Sequence, residues 1–305
     1  MSQRIFVTGA SGYLGGAIAA RLARAGHQVF GLTRSAEHAR GLEAAGVKPV
    51  IGDLEERATF IGALQNCDAV VHAAIADDAN VALLDQHALE AIREAAVDGR
   101  VRRLLYTSGL WVHGDRPGVV TDESSPLAPL DVVHWRAAHE DAALDLADAE
   151  VATVIFRGAI VYGEARGIVG DLFREAHQKR TVTYPGDGSQ IWSLVHRDDV
   201  AEAYALGLEH AAAGERYLLA DDQPLAARDV AAAIARVTGA ETRAWDADDV
   251  RERLGAYGDA LLASVRVSAA KARRELGWVP RHTSFAAEAD ALYREWLAGQ
   301  GLAVA

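Results

Sequence analysis

The run Thr8-Gly9-Ala10-Ser11-Gly12-Tyr13-Leu14-Gly15 stands directly after a strand-like segment, Arg4-Ile5-Phe6-Val7-Thr8, and directly before a segment of helical period. Glycines so placed allow a tight turn, let the backbone touch a pyrophosphate, and let a helix lie close to its strand with its amino end facing the phosphates. Gly9, Ser11, Gly12, Tyr13, Leu14 and Gly15 are therefore candidate dinucleotide-binding residues. The end of the second strand separates the two nicotinamide cofactors. An acid there binds the ribose 2′-OH of NAD, whereas an Arg accommodates the 2′-phosphate of NADP. Leu32-Thr33-Arg34-Ser35 has no carboxylate, and Arg34 with Ser35 offers a cation and a hydroxyl, which points to NADP(H). Asp53, in Ile51-Gly52-Asp53-Leu54 after the third strand, is expected with Leu54 at the adenine edge, although a helix-capping aspartate would read the same.

These residues need a scaffold that gathers strand ends. Short β-branched runs at 5–8, 28–33, 47–51, 69–72, 102–107 and 151–157 alternate with segments of helical period, such as Leu14, Ile18 and Leu22, then Val81, Leu84, Ala88 and Ile92. Such alternation predicts an α/β fold with a doubly wound parallel sheet of the Rossmann kind. Beyond residue 157 the pattern breaks at Tyr184-Pro185-Gly186-Asp187-Gly188, and helical period returns at 198–209 and 226–238. Residues 1–160, with 190–215 returning to them, are expected to form the dinucleotide-binding domain. Residues 161–189 and 216–305 are expected to form a smaller C-terminal substrate-binding lobe.

Composition narrows the function classes. With half of its 305 residues apolar, the chain can build a sizeable core. The net charge is −12, and Lys/Arg cluster only as pairs such as Arg102-Arg103 and Arg273-Arg274, which argues against a nucleic-acid partner. Cys67 is the single cysteine, so there is no internal disulfide or Cys-rich metal site, and no metal is expected. No apolar run is long enough to span a membrane, and the first strand begins too early to leave room for a signal segment, so the expected location is cytoplasmic.

The glycine loop, Gly52-Asp53-Leu54, Val71-His72-Ala73-Ala74, Leu105-Tyr106-Thr107-Ser108, the Arg157–Gly163 run RGAIVYG, Gly186-Asp187-Gly188-Ser189-Gln190, Val195-His196-Arg197-Asp198-Asp199-Val200 and Leu276-Gly277-Trp278 together resemble the extended short-chain dehydrogenase/reductases. The resemblance covers nearly the whole chain. It implies a Rossmann domain carrying the nicotinamide, with Ala73 and Ala74 beside the cofactor, and a lobe that shapes the substrate pocket. Many relatives pair through helices of the sheet, so a homodimer is a possible partner state.

In that family a Ser polarises the substrate carbonyl and a Tyr-x-x-x-Lys passes the proton. Counted back from Glu140, the pair falls on Val132 and Arg136, and there is no Tyr between Tyr106 and Tyr162 and no Lys between Lys48 and Lys179. The usual Ser position falls on Gly109, leaving Ser108 one residue early. The candidates left for chemistry are Ser108, His113, His134 and Arg136, the last able to hold ribose hydroxyls in place of Lys but not to shuttle a proton. A hydrogen-bonded structural role would suit His113 equally well. Trp111, Trp135, Tyr162 and Trp192 are candidate substrate-binding aromatics; if two or more line the cavity, they suit a flat polycyclic ligand better than a charged sugar nucleotide.

The preferred expectation is NADPH-dependent reduction of a ketone or quinone carbonyl on a small aromatic or polycyclic molecule, with the proton drawn from substrate or water. It is similar to atypical ketoreductases that modify aromatic polyketides such as angucyclinones in antibiotic biosynthesis. A nucleotide-sugar epimerase or dehydratase and a non-enzymatic NADP-binding sensor are the alternatives.

Overall fold

A computed structural model describes residues 2–75, 80–221 and 223–302. The first half runs β1 (Arg4–Thr8), α1 (Tyr13–Arg24), β2 (Gln28–Thr33), α2 (Ala36–Ala44), β3 (Lys48–Ile51), α3 (Ile61–Gln65), β4 (Ala69–His72), α4 (Val81–Val97), β5 (Arg103–Gly109), β6 (Val120–Thr121), α5 (Arg136–Leu144) and β7 (Ala152–Gly158). Then follow β8 (Ile160–Tyr162), α6 (Gly167–Lys179), β9 (Thr181–Pro185), β10 (Ile191–Trp192), β11 (Leu194–His196), α7 (Arg197–His210), β12 (Arg216–Leu219), β13 (Leu225–Ala226), α8 (Ala227–Thr238) and β14 (Glu241–Trp245). The chain finishes with α9 (Ala247–Leu254), α10 (Ala256–Leu262), β15 (Arg266–Val267), α11 (Ala270–Leu276) and α12 (Phe285–Gly299).

Seven parallel strands form the main sheet in the order β12-β7-β5-β4-β1-β2-β3. Because consecutive strands cross over helices, both faces are covered and the strands read as continuous apolar runs rather than alternating ones. Ile18 and Leu22 of α1, Val200 and Tyr204 of α7 and Leu276 of α11 belong to the core on one face. Leu89 and Ile92 of α4, Ala143 of α5 and Phe60 belong to the core on the other. The chain leaves β1 in one direction and β4 in the other, so the strand order reverses between them and opens a crevice at the carboxyl ends of β1 and β4. Beside it, the lobe packs α6, α8 and α12 around Phe173, Ile234, Phe285 and Trp296.

Two pieces fall on the other side of the expected division. Arg216–Leu219, assigned from sequence to the lobe, pairs with β7 as an edge of the main sheet, because three of its four residues are buried and apolar or aromatic. The segment through Trp278 also packs on the sheet's helices, with the indole Nε1 donating to the Asp199 carbonyl at 2.8 Å. Among the described residues no helix is long and apolar enough to cross a membrane.

Candidate active site

A cavity of about 820 Å³ occupies the crevice between the sheet's carboxyl edge and the lobe. Its floor is the turn from β1 into α1. Gly9 holds φ +67°, and a Cβ there would stand 2.6 Å from the Ala73 carbonyl oxygen; at Gly15 a Cβ would stand 2.2 Å from the Gly9 carbonyl oxygen. The loop is thus pressed onto the end of β4 and onto its own helix at positions that admit no side chain. Gly9, Ser11, Gly12, Tyr13 and Leu14 line the cavity together with Ala73 and Ala74, while Gly15 supports the turn from behind. The amino end of α1, without a side-chain cap, faces this space. A close-packed, cap-free cradle of this kind fits a dinucleotide pyrophosphate.

Arg34, exposed at the end of β2, and His38 on α2 line the cavity at its far end, with Asp53 and Leu54 across from them. Ser35 is not part of the wall: its hydroxyl accepts the His38 backbone N–H at 3.2 Å and caps α2. Asp53 lines the cavity, and its carboxylate accepts the Glu55 N–H at 3.1 Å within a turn; it caps no helix, since the short helix Arg57–Thr59 begins after Glu56.

At the other end, the tips of β4 and β5 carry two buried polar networks. Asp85 of α4 accepts from His72 Nε2 (3.1 Å), the Tyr106 phenol (2.8 Å) and His139 Nδ1 (2.8 Å), and Arg136 stands 3.9 Å away. Burial acts to raise the Asp85 carboxyl, but the charges and hydrogen bonds of His72 and His139, with the Arg136 guanidinium, outweigh it and hold the group well below the usual carboxylate range. The second network centres on Glu140, which pairs with Arg157 (Nη2 2.5 Å, Nε 3.0 Å) and receives the Ser108 hydroxyl at 2.5 Å. Arg136 lines the cavity as expected, its Nη1 donating to the Thr107 carbonyl at 3.0 Å and its guanidinium lying 4.1 Å over the Trp135 ring.

Several expected site residues lie elsewhere. His113 does not reach the cavity: the turn Leu110–His113 after β5 sends Trp111 to the wall and folds His113 inward, where it is fully buried against Arg157 at 3.2 Å. Burial first, and then the Arg157 charge, push its pKa down to about 4. His134 is exposed, with Nδ1 bonded to the Asp131 carbonyl at 2.8 Å, so it closes its own turn. Trp135 lies off the wall, edge-on to His139 at 4.8 Å. Tyr162 is wholly buried in the lobe core, edge-on to Phe285 at 5.3 Å. Ser108 does line the cavity, but its proton is committed to Glu140.

Trp111 and Trp192 do line the cavity, Trp111 edge-on to Tyr257 at 6.0 Å and Trp192 anchored by its Nε1 to the Leu261 carbonyl at 3.1 Å. Leu110, Ile160, Ile191, Ala263 and Val265 complete an apolar wall between them. His38, His72, Asp85, Thr107 and Tyr204 are cavity residues that the sequence reading did not single out for chemistry. Thr107 was accessible to it, since it stands two residues before Gly109 on one strand face. Tyr204, in the middle of α7, carries no local signal.

The family profile described as the NAD dependent epimerase/dehydratase family matches residues 5–220. An uncharacterised protein of Schizosaccharomyces pombe is 32% identical over 289 residues, covering 92% of this chain and 96% of that one. The 4-hydroxy-2-methyl-3-oxo-4-farnesyl-3,4-dihydroquinoline-1-oxide ketoreductase of Stigmatella aurantiaca is 29% identical over 329 residues, covering 98% of each. Among solved structures, a dTDP-glucose 4,6-dehydratase from Streptomyces venezuelae with NAD bound superposes with a TM-score of 0.84 at 22% identity, covering 98% of both chains. The chain therefore belongs to the NAD dependent epimerase/dehydratase family, as an oxidoreductase of the extended short-chain dehydrogenase/reductase type built around a nicotinamide dinucleotide site.

Proposed function

We propose that this protein reduces a ketone or quinone carbonyl on a small aromatic or polycyclic molecule, uses NADPH, and takes the proton from the substrate or from water. One observation carries the reading: the cofactor cradle is complete, yet the wall beside it joins Trp111 and Trp192 across apolar residues and includes no lysine. Flat aromatic walls favour a planar apolar ligand. The similarity to a ketoreductase over 98% of both chains supports the same direction.

The reduced dinucleotide, when bound, supplies the hydride for such a reaction. The chain's own residues do the rest. Gly9 to Leu14 present backbone N–H groups to the pyrophosphate. Arg34 stands where a 2′-phosphate would be recognised, with His38 beside it, and no carboxylate ends β2 to favour the free 2′-OH. Arg136, its side chain held between the Thr107 carbonyl and Asp85, offers remaining N–H donors to ribose hydroxyls at the position of the family's lysine. Leu110, Trp111, Trp192 and Val265 exclude water, which strengthens every polar contact made inside. Losing a general acid costs on the order of 10²–10⁴ in rate, a deficit that a hydroxyl beside the substrate carbonyl or an ordered water makes good.

The test follows the absorbance of the reduced cofactor with a panel of quinones, aryl ketones and sugar nucleotides. Oxidation of NADPH by aryl ketones or quinones supports the reading. Tight cofactor binding with no turnover would favour the sensor, and activity confined to sugar nucleotides would favour the epimerase or dehydratase.

A further inference from the structure

Thr107 and Gly109 share one face of β5, and both line the cavity. The Thr107 hydroxyl oxygen lies 2.7 Å from the phenol oxygen of Tyr204, which reaches the cavity from α7. Among the described residues neither hydroxyl has another side-chain or backbone partner. Two protons therefore share one hydrogen bond, and one proton is left over. Tyr204 is fully buried, so a leftover phenol proton would be an unsatisfied buried donor, which folding disfavours. Thr107 is only partly buried and borders the cavity. The lower-energy arrangement has Tyr204 donating to Thr107 and the Thr107 proton turned into the cavity. Burial raises the Tyr204 phenol, which keeps that donor protonated. The neighbouring Ser108 cannot take the part, because its proton goes to Glu140. Arg136 pins the strand end by donating to the Thr107 carbonyl at 3.0 Å.

We propose that Thr107 is a catalytic residue that donates a hydrogen bond to the substrate's carbonyl oxygen, and that Tyr204 is a positioning residue that fixes the direction of that hydroxyl. The proposal rests on the carbonyl-reduction reading for its substrate. Charge develops on the carbonyl oxygen as it becomes an alkoxide, and a donor already aimed at it needs no reorganisation at that moment. No proton leaves Thr107; the alkoxide is protonated afterwards by substrate or water. The arrangement restores, from a residue two places earlier and on the same strand face, the donor that Gly109 lacks.

Two readouts on Thr107→Val, Thr107→Ser and Tyr204→Phe test it. With an aryl ketone, Thr107→Val should lower kcat by on the order of 10²–10³ while KM and NADPH affinity change by less than about threefold. Thr107→Ser should restore most of the rate, and Tyr204→Phe should lower kcat by about tenfold because the rotor is freed but the donor remains. The second readout needs no turnover: 4-nitrophenol is titrated against pH in the presence of protein and NADP⁺. The wild type should favour the bound phenolate and lower the probe's apparent pKa, and Thr107→Val should abolish that shift. Ketone turnover with a Thr107→Val variant that keeps both kcat and the nitrophenol shift would overturn the assignment and leave carbonyl reduction standing. A Thr107-dependent nitrophenol shift without ketone turnover in the wild type would keep the donor and remove the reduction reading. Absence of both turnover and shift would remove both.

Discussion

Replacing Ser108 by alanine separates a residue that lines the cavity from one that acts in it. The Ser108 hydroxyl gives its proton to Glu140 at 2.5 Å, and Glu140 also holds the Arg157 guanidinium through two nitrogens. A hydrogen bond to a charged group contributes about 1.5–3 kcal/mol net, and because Arg157 remains on the carboxylate the loss should sit at the lower end, about 1.5–2 kcal/mol. At about 2.1 cal/mol/K of unfolding entropy per residue, a chain of 305 residues shifts by about 1.6 °C in Tm per kcal/mol. An oxyanion donor, by contrast, is worth on the order of 10²–10³ in kcat. Ser108→Ala should therefore lower Tm by a few degrees and leave kcat for an aryl ketone within about threefold of wild type. Thermal melting by circular dichroism, paired with NADPH oxidation kinetics, measures both. A variant that melts like the wild type yet loses more than about a hundredfold in kcat would refute this placement of the Ser108 proton.

Arg34→Ala should weaken NADPH binding by about tenfold or more and leave NADH binding within about twofold, because only the 2′-phosphate needs the cation; equal losses in a fluorescence titration would contradict the cofactor assignment. His134→Ala should leave turnover at the wild-type level, since the imidazole is exposed and bonded to its own turn; a collapse of kcat with NADPH affinity intact would place it in the chemistry. His113, held at about 4 by burial and Arg157, takes up its proton later than the unfolded chain does as pH falls. Its contribution to stability is thus complete above about pH 6.5 and lost as pH falls toward 4, at about 1.4 kcal/mol per unit of difference. Urea unfolding of wild type and His113→Asn across that range should show a shallower acid loss in the variant, and parallel curves would refute the linkage.

The scaffold was legible in the sequence because its rules are local. Six of the seven sheet strands carry β-branched runs in a βαβ rhythm, and the loop at Gly9 to Gly15 announces itself by glycines between a strand and a helix. β12 escaped because Arg216-Tyr217-Leu218-Leu219 is four residues long and carries no β-branched residue, and its pairing with β7 makes it part of the sheet. In the site, six residues counted from motifs, Arg34, Asp53, Ala73, Ala74, Arg136 and Ser108, line the cavity, whereas Ser35 and His113 do not. What depended on side-chain direction was not. His113 and Trp111 are two residues apart in one turn of Leu110–His113, and only that turn's path decides which faces the ligand space. His134 and Trp135 precede α5 and point away from the cavity, whereas Arg136 at its first position points in. Contacts such as Tyr204 with Thr107 and Asp85 with His72 and His139 join residues far apart in the chain, so no spacing records them.

The claim on which the rest depends is that a complete cofactor cradle works without a protein phenol as its acid. Tyr13 and Tyr204 are the two tyrosines that line the cavity among the described residues, the first bonded to the Gly163 carbonyl at 2.6 Å and the second to Thr107. The most direct measurement is kcat for aryl-ketone reduction by the double variant Tyr13→Phe/Tyr204→Phe at saturating NADPH. The account predicts a rate within about tenfold of wild type, whereas a fall of more than about a hundredfold in a variant that still binds NADPH would mean that one of these phenols supplies the proton.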